Sequence, residues 1–167
     1  TARTVTSLLK PRLYNTFFLA AMTAIIAVPL SLLLGITAAL YRNTFYDRAV
    51  NASALTTISM PEFFVAYILI IFLASIYQFF PSLSNVTSST PFSERVYLSI
   101  LPALTLTLVT VAHMMRMTRA AIINLLSSPY IEMAELKGLS RSKVIIKHAL
   151  PNAWAPISNI IAFNLAY

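Results

Sequence analysis

The residues that could do chemistry in this chain are concentrated in one stretch, Ser128–Pro151, which is the longest polar passage between two apolar runs. Its charged residues are Glu132, Glu135, Lys137, Arg141, Lys143 and Lys147, with Arg119 a little upstream. No Ser/His/Asp grouping or carboxylate pair that could form a hydrolytic site accompanies them. The stretch is therefore expected to be a surface that contacts a partner, and we predict no catalytic residues.

Metal and nucleotide chemistry are also not expected. The chain has no cysteine and two histidines, His113 and His148, so the sequence predicts neither a thiolate site nor a histidine cluster. A phosphate-binding loop of the GxxxxGK[ST] type is absent, and the two glycines, Gly35 and Gly138, are far apart. We predict no metal, no cofactor and no ATP hydrolysis by this chain.

The elements that must position this stretch are membrane helices. Of the 167 residues, 58% are hydrophobic and 10% are charged, and the mean hydropathy is +0.76. Soluble domains carry about 25% charged residues, so a chain this apolar is expected to lie in lipid. The net charge of +7 does not indicate a nucleic-acid partner, because the basic residues cluster at the ends of apolar runs, as they do around membrane spans.

The apolar runs predict an all-α, polytopic transmembrane domain with about three complete spans and most of a fourth. A helix needs about 20 residues to cross the hydrocarbon, and the chain begins without methionine and ends inside an apolar run. We therefore expect a fragment of one larger domain. Its predicted parts are an interfacial elbow over 1–12, spans over 13–41, 49–80, 96–121 and 152–167, and a loop over 128–151. The elbow has one alternative, a flank continuous with the next helix.

Glu62, next to Pro61, interrupts the second predicted span. A carboxylate at the centre of a membrane helix costs roughly 2.5–3.5 kcal/mol on insertion scales. Glu62 could face a water-filled substrate path, or it could be the solvated end of a helix or half of an ion pair.

The side of the membrane on which each connection lies follows from its basic residues. Eight fall on one side: Arg42, Arg48, Arg116, Arg119, Lys137, Arg141, Lys143 and Lys147. Four fall on the other: Arg3, Lys10, Arg12 and Arg95. The positive-inside rule puts the first set, and with it the loop over 128–151, in the cytoplasm.

Capping signals divide the loop into two short helices. Ser128 is a good N-cap, Pro129 suits the first helical position, and Gly138 suits a left-handed C-cap after Lys137. A second helix is predicted over Arg141–Leu150, closed by Pro151. Helices this short need a docking surface, which could be anionic lipid, the spans themselves or a groove in a partner; spacing leaves all three open.

The loop also resembles the EAA loop in the membrane subunits of bacterial ABC importers. That family's pattern is Glu-Ala-Ala, three residues, Gly, nine residues, Ile, one residue, Leu-Pro. Glu132, Ala134, Gly138 and the Leu150-Pro151 pair match it, while Met133 and His148 depart from it. The segments RTVTSLLKPRLYNT, SMPEFF, LPALTLTL and RMTRAAI look most similar to the dipeptide/oligopeptide/nickel branch, so the resemblance covers essentially the whole chain.

This resemblance implies a permease subunit with defined partners. A cytoplasmic ABC ATPase would bind the loop, a second homologous permease would complete the pore, and an extracytoplasmic solute-binding protein would deliver cargo. The implied ATPase-coupling residues are Tyr130, Glu132, Met133, Ala134, Lys137, Gly138, Leu139 and Ser140. Peptides are the expected cargo, with nickel, opines or other small solutes as alternatives. The alternative function is a self-sufficient channel or ion-coupled carrier, which would require charged pairs inside the membrane.

Overall fold

The described part of the chain is helical and contains no strand. A computed structural model describes residues 5–87, 89–139 and 141–166. The helices are α1 (Val5–Leu40), α2 (Phe45–Ser59), α3 (Glu62–Leu69), α4 (Phe92–Leu126), α5 (Pro129–Leu136), α6 (Arg141–Val144) and α7 (Leu150–Ala166). Two π-helical segments, Ile70–Ile76 and Ile145–Ala149, follow α3 and α6. The predicted all-α transmembrane fold class is confirmed.

Among the described residues, two helices are long and apolar enough to cross a membrane. They are α1, from Leu9 to Leu40, and α4. The pair formed by α2 and α3 with its π-helical continuation passes the same test only together, as a broken span or a re-entrant loop. The break falls at Met60-Pro61, as the sequence predicts, because a residue before proline avoids the α conformation. This broken pair corresponds to the predicted span 49–80, but its helical part runs from Phe45 to Ile76. The fourth span stays a prediction.

Residues 5–12 do not form a separate helix. They are part of α1, as in the alternative interpretation, a flank of the next helix, and the interfacial elbow stays a prediction. Pro11 is the seventh residue of α1, and the helix continues through it, which neighbouring groups allow in membrane helices. Residues 1–4 of the predicted elbow and residue 167 of the fourth span lie outside the described residues.

The chain divides into two compact units. The first contains α1 up to Ala27 together with Ser59–Val109, and the second contains Val28–Ile58 together with the chain from Thr110 onward.

Within the second unit, α1 packs closely on α4 along small residues. Ser31, Gly35 and Ala39 recur every four residues and are met by Met114, Met115, Thr118 and Ile122, in the same order along both helices. We call this contact the α1–α4 seam. A Cβ atom on Gly35 would lie 2.7 Å from the carbonyl oxygen of Met115. Small residues at this spacing let two membrane helices approach closely, and the shared order means that α1 and α4 run parallel here.

The segment after α4 has its own small core. Ile131 and Ala134 of α5 pack with Val144 and Ala149, and Leu126 and Leu139 lie against them. Helix α5 ends at Leu136, one residue before the predicted end. The next residues turn at Gly138, whose φ of +78° is the left-handed conformation that the sequence predicts.

The prediction that Pro151 closes the second short helix is wrong. The chain stays helical from Arg141 through the π-helical segment into α7, and Pro151 is the second residue of α7. A proline inside an α-helix lacks an N–H group and its ring clashes with the carbonyl four residues before it. The wider π turn immediately upstream moves that carbonyl away, which explains how the helix passes Pro151.

Candidate functional site

Local signals fix the beginning and end of α5. The backbone N–H groups of Ile131 and Glu132 donate to the carbonyl oxygen of Ser128 at 3.0 and 3.2 Å. At the other end, the N–H group of Lys137 donates to the carbonyl oxygen of Met133 at 3.2 Å. Ser128 thus occupies the N-cap position and Pro129 the first helical position, where its missing N–H group costs nothing.

The two sides of α5 differ in burial. Ile131 and Ala134 are buried in the small core, whereas the opposite side is exposed. Four exposed residues of α5, Tyr130, Glu132, Met133 and Leu136, together with Lys137 directly after it form what we call the α5 outer surface. The exposed fractions of its apolar members are 55% for Tyr130, 57% for Met133 and 76% for Leu136. Residues three and seven apart share one side of a helix, so Tyr130, Met133 and Lys137 lie in one row.

The residues proposed for coupling therefore separate into two groups. Five of them lie on the α5 outer surface or flank it, while Ala134 is buried and Leu139 is half-buried against the small core. Gly138 is exposed, and a Cβ atom there would meet nothing within 4 Å. Ser140 lies outside the described residues.

His148 has a partner that the sequence did not indicate. Its Nδ1 atom lies 2.8 Å from the hydroxyl of Tyr130, and the two rings pack edge to face with centroids 5.7 Å apart. Asn152 donates from Nδ2 to the carbonyl oxygen of His148 at 2.8 Å. These residues line a cavity of about 570 Å³ beside α5. The departure of His148 from the family pattern thus coincides with a contact that joins α5 to the π-helical segment before α7.

A buried ion pair joins α2 to α4 in the same unit. The Asp47 carboxylate, 4% exposed, accepts two hydrogen bonds from Arg119, from Nε and from Nη2, each at 2.7 Å. It also accepts from the backbone N–H group of Asn43 at 3.0 Å and from Asn51 Nδ2 at 2.7 Å. The sequence groups Arg119 with the loop charges, whereas the structure pairs it with an acid 72 residues away. One signal was available, an arginine in an apolar helix, which requires a partner.

Glu62 is the first residue of α3, directly after the break, and it is exposed. The backbone N–H group of Phe64 donates to the carbonyl oxygen of Pro61 at 2.9 Å. An acid in the first turn interacts favourably with the positive end of the helix dipole, which agrees with the alternative of a solvated helix end. A role of Glu62 in a substrate path stays a prediction.

These features define a helical membrane protein in which a short helix, α5, packs on a small core with one side and is exposed on the other. Comparison with known proteins identifies the class. The family model for the binding-protein-dependent transport system inner membrane component matches residues 31–167. The chain belongs to this family, and is accordingly an integral component of the inner membrane.

Curated relatives are permeases of peptide transport systems. The chain is 32% identical over 163 residues to the probable peptide ABC transporter permease protein y4tP of Sinorhizobium fredii, covering 98% of this chain and 52% of that protein. It is 38% identical over 146 residues to the dipeptide transport system permease protein DppB of Bacillus subtilis, covering 87% and 45%. It is 30% identical over 163 residues to the oligopeptide transport system permease protein AppB of the same species, covering 96% and 52%. The chain thus spans about half the length of the curated relatives it matches.

Proposed function

We propose that this chain is part of the membrane-spanning permease subunit of an ATP-driven importer, and that the α5 outer surface is the docking site for a separate cytoplasmic ATPase. The observation that carries this proposal is the pairing of a buried inner side of α5 with an exposed apolar outer side. The names of the relatives support peptides as the cargo class. On this proposal the chain contributes no catalytic residue, and ATP is hydrolysed by the partner.

The geometry suits a helix that inserts into a groove. An isolated helix of eight residues is not stable in water, and α5 is held by Ile131 and Ala134 against the small core. The exposed parts of Tyr130, Met133 and Leu136 can then bury apolar area in a partner. Recognition of one apolar helix side by a groove is a common mode of peptide binding. Glu132 and Lys137 flank this side with opposite charges, which would orient the helix in the groove.

The remaining partners and the topology belong to the same proposal. The excess of basic residues supports a cytoplasmic position for 128–151, and the apolar runs support a multi-pass arrangement. A second, homologous permease would complete the translocation path, and an extracytoplasmic solute-binding protein would deliver the peptide. The family description names a binding-protein-dependent system, which supports the latter partner.

The experiment that tests the proposal is copurification of the full-length permease with its ATPase, followed by peptide-dependent ATP hydrolysis in proteoliposomes. Met133→Asp places a charge on the α5 outer surface without touching the small core, so we expect loss of copurification and at least tenfold slower hydrolysis, about 1.4 kcal/mol. Met133→Leu keeps an apolar side chain of similar volume and is the matched control, with wild-type behaviour expected. Normal assembly and hydrolysis by the Met133→Asp variant would refute docking through this surface.

A further inference from the structure

A cationic cavity in the first unit is not used by the proposed function. It has a volume of about 580 Å³, within the range of small-molecule sites, and lies between the early turns of α1 and the start of α4. Its lining residues are Lys10, Pro11, Tyr14, Asn15, Thr90, Phe92 and Arg95. Two of these side chains, Lys10 and Arg95, are positively charged.

Arg95 is buried and held in one orientation. It is 5% exposed, and its guanidinium donates from Nη1 to Asn15 Oδ1 at 2.7 Å and from Nη2 to the carbonyl oxygen of Thr87 at 2.9 Å. The guanidinium carbon also lies 4.8 Å from the centroid of the Tyr14 ring and 5.8 Å from that of Phe18. A guanidinium has five N–H donors, so donors are left for a ligand in the cavity.

No acid among the described residues neutralises the charge of Arg95. Within residues 5–87, 89–139 and 141–166, neither Arg95 nor Lys10 forms an ion pair with a carboxylate. The neighbouring Glu94 is exposed and does not line the cavity. A buried charge without a counter-charge is costly, and neutral hydrogen-bond acceptors and aromatic rings compensate it in part. The cavity is thus preorganised for an anion.

We propose that this cavity binds the phosphate group of a membrane phospholipid. Lys10 and Arg95 supply the positive charge, and Arg95 supplies the planar fork of donors that matches a phosphate. Tyr14 and Phe92 line the cavity and remain 58% and 71% exposed, which gives it an apolar rim suited to the glycerol and upper acyl carbons. A free phosphate ion would gain nothing from that rim, and for this reason lipid is the favoured source of the phosphate.

The proposal also accounts for an exception in the charge distribution. Lys10 and Arg95 belong to the four basic residues on the side that the positive-inside rule predicts to be poor in them. Binding of a lipid headgroup by both residues explains why they lie on this side, because lipid phosphate is present at that membrane surface too.

The test measures lipid binding to the full-length permease in detergent. Native mass spectrometry is used to titrate dioleoyl phosphatidylglycerol, with dioleoylglycerol as the lipid that lacks the phosphate and inorganic phosphate as the anion that lacks the acyl chains. We expect saturable binding of the phospholipid, no comparable binding of dioleoylglycerol, and no displacement by millimolar inorganic phosphate. Equal retention of dioleoylglycerol, or displacement by inorganic phosphate, would overturn the proposal.

Substitutions then locate the site. Lys10→Gln should weaken phospholipid binding roughly fivefold, the effect of one basic residue at a lipid surface, and Lys10 is exposed, so the variant should fold. Arg95→Gln should weaken binding by more, and Arg95→Lys should restore part of it because the charge returns without the fork. Arg42→Gln, which removes an exposed positive charge outside the cavity, is the matched control. If Lys10→Gln binds the phospholipid as tightly as Arg42→Gln does, the assignment fails.

Discussion

The α1–α4 seam and the α5 outer surface lie in the same unit. The seam is tightly packed, whereas the α5 outer surface is exposed. At the seam a single added carbon on Gly35 would lie 2.7 Å from a backbone oxygen. On the α5 outer surface Leu136 is 76% exposed and its neighbours Tyr130 and Met133 are more than half exposed. Small residues thus serve close internal packing in one region, whereas large apolar side chains remain exposed in the other.

The two glycines show the same contrast. Gly35 is needed because there is no room for a side chain, while its backbone is ordinary helix. Gly138 is needed because its φ is +78°, while the space around it is open within 4 Å. Changes in the seam should therefore alter stability, and changes around α5 should alter coupling.

The largest effect is expected from Asp47→Ala, next to the seam. It leaves Arg119 without its counter-charge, and removing one partner of a buried pair costs about 3 kcal/mol or more. We expect the lower end, because the Arg119 side chain is 23% exposed. Thermal unfolding of the purified full-length protein measures the loss. The double variant Asp47→Ala/Arg119→Ala should recover part of it, and a double variant less stable than Asp47→Ala would contradict the pairing.

The next largest effect is expected from Gly35→Ala. In an exposed helix this change stabilises by up to about 1 kcal/mol, but here the added carbon meets the backbone of Met115 and the side chain of Thr118. We expect a destabilisation of about 1–3 kcal/mol, as for other overpacked sites. Ser53→Ala, on an exposed position of α2, is the control and should change stability little. A higher unfolding temperature for Gly35→Ala would show that the seam is looser than the structure indicates.

Gly138→Ala should destabilise less than Gly35→Ala, and a different substitution should avoid the loss. A residue with a Cβ atom in the left-handed conformation costs roughly 1–2 kcal/mol, and no neighbour would be displaced. Gly138→Asn should therefore be close to wild type, since asparagine tolerates this conformation, whereas Gly35→Asn should be worse than Gly35→Ala. Unfolding temperature and ATPase copurification are measured together. A severe loss of stability with Gly138→Asn would remove the distinction between the two glycines.

The smallest effect is expected from Tyr130→Phe. It removes the hydroxyl that bonds His148 at 2.8 Å but keeps the edge-to-face ring contact. Exposed hydrogen bonds contribute at the low end of the usual range, about 0.5 kcal/mol. We expect unchanged global unfolding and faster amide hydrogen exchange in α5. Exchange equal to wild type would mean that the hydroxyl does not hold α5 in place.

Much of the fold follows from local sequence. The charge-free runs predict helices in lipid, Pro61 predicts the break after α2, and Ser128, Pro129 and Gly138 bracket α5, because solvation and backbone preference act over a few residues. The family resemblance agrees with the family that the comparison establishes. One local inference failed, the stop at Pro151, because a π turn next to the proline relieves the clash that local rules anticipate.

By itself the sequence determined that this is a helical membrane protein with a capped, polar segment between two apolar helices. The tertiary structure decided which charges are paired, which glycine is enclosed and which side of α5 is free. Asp47 meets Arg119 across 72 residues, Asn15 meets Arg95 across 80, and Tyr130 meets His148 across 18. Such contacts depend on how the helices pack against each other. The residue pattern along a helix shows which of its sides is apolar, but it does not show which helix packs there.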